Sequence, residues 1–229
     1  MKILALIPAR GGSKRLPGKN VKLLDGKPLI NWTIESVNGI PEICDILVST
    51  DDPEIASVAE TAGAKVPWLR PPHLSTDLAT SVDVAIHAID WYEKEFCCVD
   101  GLLLLQPTSP YRTKLTIQNG IDLFKKFNKE PVIGVSPSQS HPQWAFKQQG
   151  DFIIPFLQDH KIDVRSQDLT PSFYPNGLLY LVSPEFLRRE HSFGGLRAIP
   201  CHTSSIKEAI DIDSNWDFEF AKYMLNEKY

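Results

Sequence analysis

The chain has 229 residues, 42% of them hydrophobic and 23% charged, the composition of one sizeable globular α/β domain. Its formal net charge of −4 excludes a general nucleic-acid or acidic-membrane binder, so any anion site must be a local concentration of cations on an acidic body. No apolar stretch approaches the ~20 residues of a membrane span, the run after Met1-Lys2 is too short for a signal-peptide core, and Cys44, Cys97, Cys98 and Cys201 lack CxxC spacing, as expected of incidental thiols in a reduced, cytoplasmic protein.

Lys2–Ile7 is continuously apolar, as a strand buried on both faces should be. It runs into IPARGGSKRLPGKN (Ile7 to Asn20), a loop rich in glycine and basic residues. Pro28–Asn38 reads as a helix with proline in its first turn and Gly39 as its stop. Cys44–Ser49 is a second strand, and Pro53–Ala62 a helix closed by Gly63. Thr80–Glu95 places Val82, Ala85, Ile86 and Ile89 on one helical face. Gly101–Leu105 is a third strand, Thr113–Phe127 a helix and Val132–Val135 a fourth strand. This βαβ rhythm predicts a mostly parallel sheet with helices on both faces.

The rhythm breaks between Ser136 and Tyr174, where Pro, Gln, Asp and His dominate. The spacing predicts an irregular arm over residues 138–174, with a β-hairpin at Gln149-Gly150-Asp151, serving as a substrate lid or an oligomer arm. The pattern resumes at Gly177–Val182. Ser214–Glu227 is a closing helix with Trp216, Phe220 and Met224 at i, i+4 and i+8. With no internal repeat, residues 1–229 read as a single domain.

Strand, basic glycine loop and helix together form the layout in which backbone amides and lysines cradle phosphates. A Walker A loop needs GxxxxGK[ST]. Here five residues separate Gly12 from Gly18-Lys19, and Asn20 stands where Ser or Thr should hold Mg²⁺. A dinucleotide fingerprint needs GxGxxG, which Gly11-Gly12 does not supply. Four cations in one short loop of an acidic protein repel each other without an anion among them.

The loop resembles the signature of the sugar-acid cytidylyltransferases, especially the acylneuraminate (CMP-sialic acid) type, including legionaminic-acid members. The resemblance implies a Rossmann-like nucleotidyltransferase fold, three layers α/β/α with a protruding dimerisation arm. It puts Arg10, Lys19 and Asn20 on the triphosphate of CTP, with Ser13, Lys14 and Arg15 in the same loop. Leu69-Arg70-Pro71 through Ala79-Thr80-Ser81 resembles the family's base-reading segment, implying that Arg70, Ala79 and Ser81 contact cytosine and ribose. From the residues alone, that segment also reads as a loop with Asp77 or Thr80 capping the next helix. Leu105-Gln106-Pro107-Thr108-Ser109-Pro110-Tyr111-Arg112-Thr113 resembles the family's LLQPTSPLRT, implying that Gln106 meets the sugar acid at the C-terminal end of a strand.

Ile210-Asp211-Ile212-Asp213 resembles the family's IDID element. Strand alternation would put Asp211 and Asp213 on one face, where Mg²⁺ (or Mn²⁺) bridging them to phosphate oxygens relieves their repulsion. Asp163 to Gln167 and Phe173 to Tyr180 resemble the family's R-x-Q and PNGAIY segments, implying that Arg165 and Tyr180 hold the sugar acid and that the arm completes a second subunit's site in a homodimer. Trp144, Phe146 and Lys147 occupy the region where some relatives carry a lysine just after His-Pro.

The implied reaction transfers CMP from CTP to the anomeric hydroxyl of a nine-carbon ulosonic acid, of sialic or legionaminic type, with Arg10, Lys19, Gln106 and Asp211 central to catalysis. Two alternatives stand beside it. A cytidylyltransferase for the eight-carbon acid Kdo would carry a PGKPL-like continuation, whereas Asn20 follows Gly18-Lys19 here. A catalytically silent nucleotide-binding module would lose Gln106, Asp211 or Asp213, and all three are present.

Overall fold

The computed structural model describes residues 1–160 and 162–226. Lys161 of the arm and Glu227, the expected end of the last helix, lie outside the described residues. In chain order come β1 (Ile3–Pro8), β2 (Leu23–Leu24), β3 (Lys27–Pro28), α1 (Leu29–Val37), β4 (Ile43–Ser49), α2 (Pro53–Thr61) and α3 (Ser81–Glu95). There follow β5 (Gly101–Leu104), α4 (Lys114–Lys126), β6 (Val132–Pro137), β7 (Phe146–Gln149) and β8 (Phe152–Pro155). The chain continues through β9 (Phe173–Val182), α5 (Pro184–Glu190) and β10 (Ile199–His202) to α6 (Asn215–Asn226).

Six strands form one sheet in the order β10-β6-β9-β5-β1-β4. β1 pairs parallel with β4 and β5, and β10 parallel with β6. β9 is antiparallel to both β5 and β6, so the "mostly parallel" expectation holds with one reversed strand. The reversal follows from the connection: the chain leaves β6 into the arm without a crossover helix and must return from the far end.

The apolar run of β1 is explained by alternation between two cores. Ile3, Ala5 and Ile7 pack with Ile30, Ile34, Ile117 and Phe124 on one side. Leu4 and Leu6 pack with Ala85, Ala88, Ile89 and Tyr92 on the other. A strand covered by helices on both faces has no position left for a polar residue. On α3 the buried face is Val84, Ala85, Ala88, Ile89 and Tyr92; Val82 and Ile86 flank it, half-buried.

A third core places the site. Leu16 of the first loop, Leu24 and Leu29 meet Ile210, Ile212, Phe218, Ala221 and Met224. The expected i, i+4, i+8 face of the last helix is therefore shifted: Met224 is buried, but Trp216 is 72% exposed and stacks on Phe220 in solvent. The Asp25-Gly26 turn joining β2 and β3, with φ of 52° and 73°, is an Asp-Gly hairpin signal that the strand reading passed over. The β7–β8 hairpin turns where expected, with Gly150 at φ 60°.

Candidate active site

A cleft of about 700 Å³ opens where β1 and β5 end, lined by the first loop, residues between Arg70 and Val84, Gln106 to Thr108, Asp211 and Asp213. It gathers Arg10, Ser13, Lys14, Arg15, Lys19, Asn20, Arg70, Ala79, Ser81 and Gln106 with that acidic pair. A larger groove of about 960 Å³ lies elsewhere, around Asp100, Lys129 and Arg188. Its charges are spent on ion pairs, Lys129 with Asp100 and Arg188 with Glu93, which leaves it no comparable chemistry.

The first loop differs from the expected cradle in one respect. After Gly18, in left-handed conformation at φ 65°, the chain makes only a 3-10 turn, Lys19–Val21. α1 begins later, at Leu29. No α-helix N-terminus points at the cleft from this loop, so anion binding there rests on side-chain cations rather than on a helix dipole. The loop is pinned at both ends: buried Asn20 donates its amide to the Arg10 carbonyl at 3.0 Å, and the Gly11 amide donates to Asp51 at 2.9 Å. Gly11 lies so close to the end of β4 that a Cβ there would fall 2.5 Å from the Asp52 carboxylate.

Two carboxylates share the loop's cations. Arg10 and Lys14 pair with Asp77 at 2.8 and 2.6 Å. Lys19 and Arg15 pair with Asp213 at 3.1 and 3.3 Å. Hydrogen bonds from Lys14 and then Arg10 hold the Asp77 carboxyl below its ordinary range. The question of which residue caps α3 is settled by the same geometry: Thr80 and Asp83 form the reciprocal capping box, and Asp77 is engaged with cations. Ala79 and Ser81 flank that cap at the cleft's edge.

The acidic pair does not lie on a strand. Ile210 to Asp213 is an extended segment outside any sheet, tied by Ile212 N–H donating to the Thr108 carbonyl at 2.8 Å. Its alternation survives because Ile210 and Ile212 enter the third core, which turns Asp211 and Asp213 to the cleft. Asp211 is reachable from the open side. Protein crowding its carboxyl, helped by Asp213, raises it above the ordinary range against a hydrogen bond from Thr108 and the charge of Lys19.

Arg70 is buried and donates from Nε to the Ser49 hydroxyl at 3.0 Å and from its terminal nitrogen to the Ser49 carbonyl. Burial lowers its pKa, with Asp51 opposing. It therefore braces the end of β4 as well as lining the cleft. Tyr180 and Arg165 do not line the cleft. Tyr180 lies on β9 against Phe193, its hydroxyl pushed up by burial and by the charge of Asp211. Arg165 is exposed on the arm, as are Phe146 and Lys147, and Trp144 ends a 3-10 turn there.

Sequence reasoning passed over Asp77 as a counter-ion and gave Arg112, though inside the stretch from Leu105 to Thr113, no role. An excess of cations in one loop signals the first, because their charge requires nearby acid. Arg112 gives no such signal: it is 4% exposed and donates to backbone carbonyls of Leu178, Gln106 and Gly177 and to the Thr33 hydroxyl. Burial pushes it down to about 9, opposed by Glu208 and Asp211.

A mainly parallel sheet with a basic loop after its first strand, and an acidic pair facing that loop, defines a Rossmann-like nucleotidyltransferase. Residues 4–126 match the cytidylyltransferase family model, and the chain belongs to that family. It is 39% identical to the CMP-N,N′-diacetyllegionaminic acid synthase of Legionella pneumophila over 98% of this chain and 97% of that one. It is 34% identical to an N-acylneuraminate cytidylyltransferase of Streptococcus agalactiae over 95% of this chain, which spans 52% of that protein. Among solved structures, CMP:2-keto-3-deoxy-manno-octonic acid synthetase complexed with CTP superposes at TM-score 0.72 with 16% identity, covering 98% of both chains, a likeness of fold.

Proposed function

We propose that the chain transfers CMP from CTP to the anomeric hydroxyl of a nine-carbon ulosonic acid, releasing pyrophosphate. The observation that carries this reading is the meeting, in one cleft, of four loop cations with the Asp211–Asp213 pair. The anomeric oxygen attacks the α-phosphorus in line; the new O–P bond forms as the bond to the β-phosphate bridging oxygen breaks, and the hydroxyl proton passes to solvent water. Arg10, Lys14, Arg15 and Lys19 exchange their carboxylate partners for phosphate oxygens and neutralise the leaving pyrophosphate. Ser13 and Asn20 shape the same loop. Arg70, Ala79 and Ser81 border the nucleoside, and Gln106 orients the sugar acid.

The donor set suits a hard dication. Among the described residues no group of three or more His, Cys, Asp or Glu gathers as a cage, and two carboxylates beside a phosphate site match the usual ligand demand of Mg²⁺. Asp211 and Asp213 would hold Mg²⁺ (or Mn²⁺), which supplies charge neutralisation to the phosphates when bound. Asp211→Asn should abolish Mn²⁺ binding read by electron paramagnetic resonance in the presence of CTP; an unchanged spectrum would overturn the metal role.

The arm supports a homodimer. Phe152 and Ile153 of the hairpin are 75% and 67% exposed, and a second copy would cover them and bring Arg165 to a neighbouring site. Tyr180 would sit behind the sugar acid. CTP as substrate and four free cysteines suit the cytoplasm. The identity to the legionaminic relative favours a nine-carbon acid of that type over the eight-carbon Kdo, whose synthetase shares the fold alone. The test is pyrophosphate release from CTP and Mg²⁺ with N,N′-diacetyllegionaminic acid, N-acetylneuraminic acid and Kdo in parallel. Turnover with a nine-carbon acid is expected; turnover with Kdo alone would contradict the substrate reading, and CTP binding without turnover on any of them would favour a silent module.

A further inference from the structure

Gln106 follows β5, and two features outside the cleft touch it. The first is Arg112. Among the described residues its partners are neutral oxygens: the Gln106 carbonyl at 2.9 Å, the Gly177 carbonyl at 3.3 Å, the Leu178 carbonyl and the Thr33 hydroxyl at 3.2 Å. A buried guanidinium without a contacting carboxylate is a costly arrangement. What it gains is geometry, because one rigid fork ties the end of β5, the middle of β9 and α1 together.

The second feature is Gly177. Its φ of 74° favours glycine, and a Cβ there would stand 2.6 Å from the Gln106 side-chain oxygen and 3.3 Å from the Ser109 hydroxyl. The Gln106 amide thus occupies the space a side chain at 177 would take. Ser109 is fully buried beside it, with a hydroxyl that lacks a partner among the described residues. Of the groups in contact, the Gln106 amide is the flexible end of a side chain and is the one that would move, while the Gly177 carbonyl is held by Arg112.

We propose that Arg112 and Gly177 are positioning residues for Gln106, Arg112 by holding its carbonyl and Gly177 by admitting its amide against β9. They thereby set the fit of the second substrate without touching it. The inference rests on the reading that Gln106 faces the sugar acid. It predicts a split: the sugar-acid site depends on the pair, while the triphosphate site, built from the first loop and Asp77, does not.

The experiment uses the full chain with N,N′-diacetyllegionaminic acid and N-acetylneuraminic acid as probes. Gly177→Ala, Arg112→Lys, Gln106→Ala and the double variant Gly177→Ala/Gln106→Ala are compared for sugar-acid KM, kcat and calorimetric CTP affinity. Gly177→Ala and Arg112→Lys should raise the sugar-acid KM by about tenfold to a hundredfold, the effect of a misplaced contact group, with CTP affinity changed less than about twofold. The Gly177→Ala effect on the sugar-acid KM should shrink in the Gln106→Ala background, where no amide remains to be displaced and only the backbone cost at φ 74° and the Ser109 contact are left. Should Arg112→Lys fail to fold, Gly177→Ala and its double variant decide alone. Equal loss of CTP and sugar-acid binding, or a Gly177→Ala effect undiminished without Gln106, would overturn the proposal. If Gln106→Ala leaves the KM unchanged, the assignment of Gln106 to the sugar acid falls, and the proposal with it; a normal Gln106→Ala defect with a silent Gly177→Ala sinks the proposal alone.

Discussion

At the scale of single residues, each cation of the first loop already faces a carboxylate. Arg10 and Lys14 lean on Asp77, and Lys19 and Arg15 on Asp213. The Asp77 pairs are exposed, so water screens them and a triphosphate can displace them at small cost. Asp77→Asn is expected to tighten binding of inorganic tripolyphosphate by about twofold to fivefold, the scale of one exposed ion pair, measured by calorimetry; weaker binding would mean that Asp77 holds the cations in place rather than competing for them. The basic loop was legible because clustered like charges demand an explanation. Arg112 was not, because an arginine satisfied by carbonyls leaves no acidic partner to notice in the chain. Tyr180 and Arg165 were named from resemblance, and within one chain neither lines the cleft.

At the scale of elements, α4 is held to the Ile206–Ala209 turn, just before the acidic pair, by one carboxylate. Buried Glu208 accepts from the Thr113 amide and hydroxyl, the Thr116 hydroxyl, and the Ser204 amide and hydroxyl. Burial works to raise its carboxyl, but these bonds outweigh it and hold it below the ordinary value of 4.5. A depressed folded-state pKa stabilises the fold above the unfolded value, and that contribution is lost as pH falls through the folded one. Glu208→Gln, which sets an amide donor against these donors, should cost about 1–3 kcal/mol in denaturant melts at pH 7. The gap to the parent should narrow below pH 4.5, where the parent begins to lose its own contribution. A gap independent of pH would refute the carboxylate's role.

Element types were readable from periodicity wherever packing and pattern agree, as in β1 and α4. Elsewhere the same pattern had another origin. The alternation of Ile210-Asp211-Ile212-Asp213 comes from a small third core rather than a strand ladder. The aromatic spacing of Trp216 and Phe220 marks an exposed stack, with Phe218 and Ala221 taking the core.

At the scale of the whole molecule, the parallel strands deliver the first loop and Gln106 to one end, and the reversed β9 closes the space between β5 and β6. The break in βα rhythm announced the segment between β6 and β9, which carries the β7–β8 hairpin. The exposed Phe152 and Ile153 predict that Phe152→Asp shifts the protein from dimer to monomer in sedimentation velocity. It should also lower sugar-acid turnover more than CTP binding, and an unchanged sedimentation coefficient would remove the arm from the interface.

On the proposed function, this cleft directs a sugar oxygen onto the α-phosphorus of CTP. The most direct measurement follows ¹⁸O placed in the anomeric hydroxyl of N,N′-diacetyllegionaminic acid by ³¹P nuclear magnetic resonance. Attack at phosphorus predicts that the label stays in the bridge between sugar and CMP, shifting the CMP phosphorus signal and leaving pyrophosphate unlabelled. A product bridge without the label would place the attack at the anomeric carbon and contradict the account.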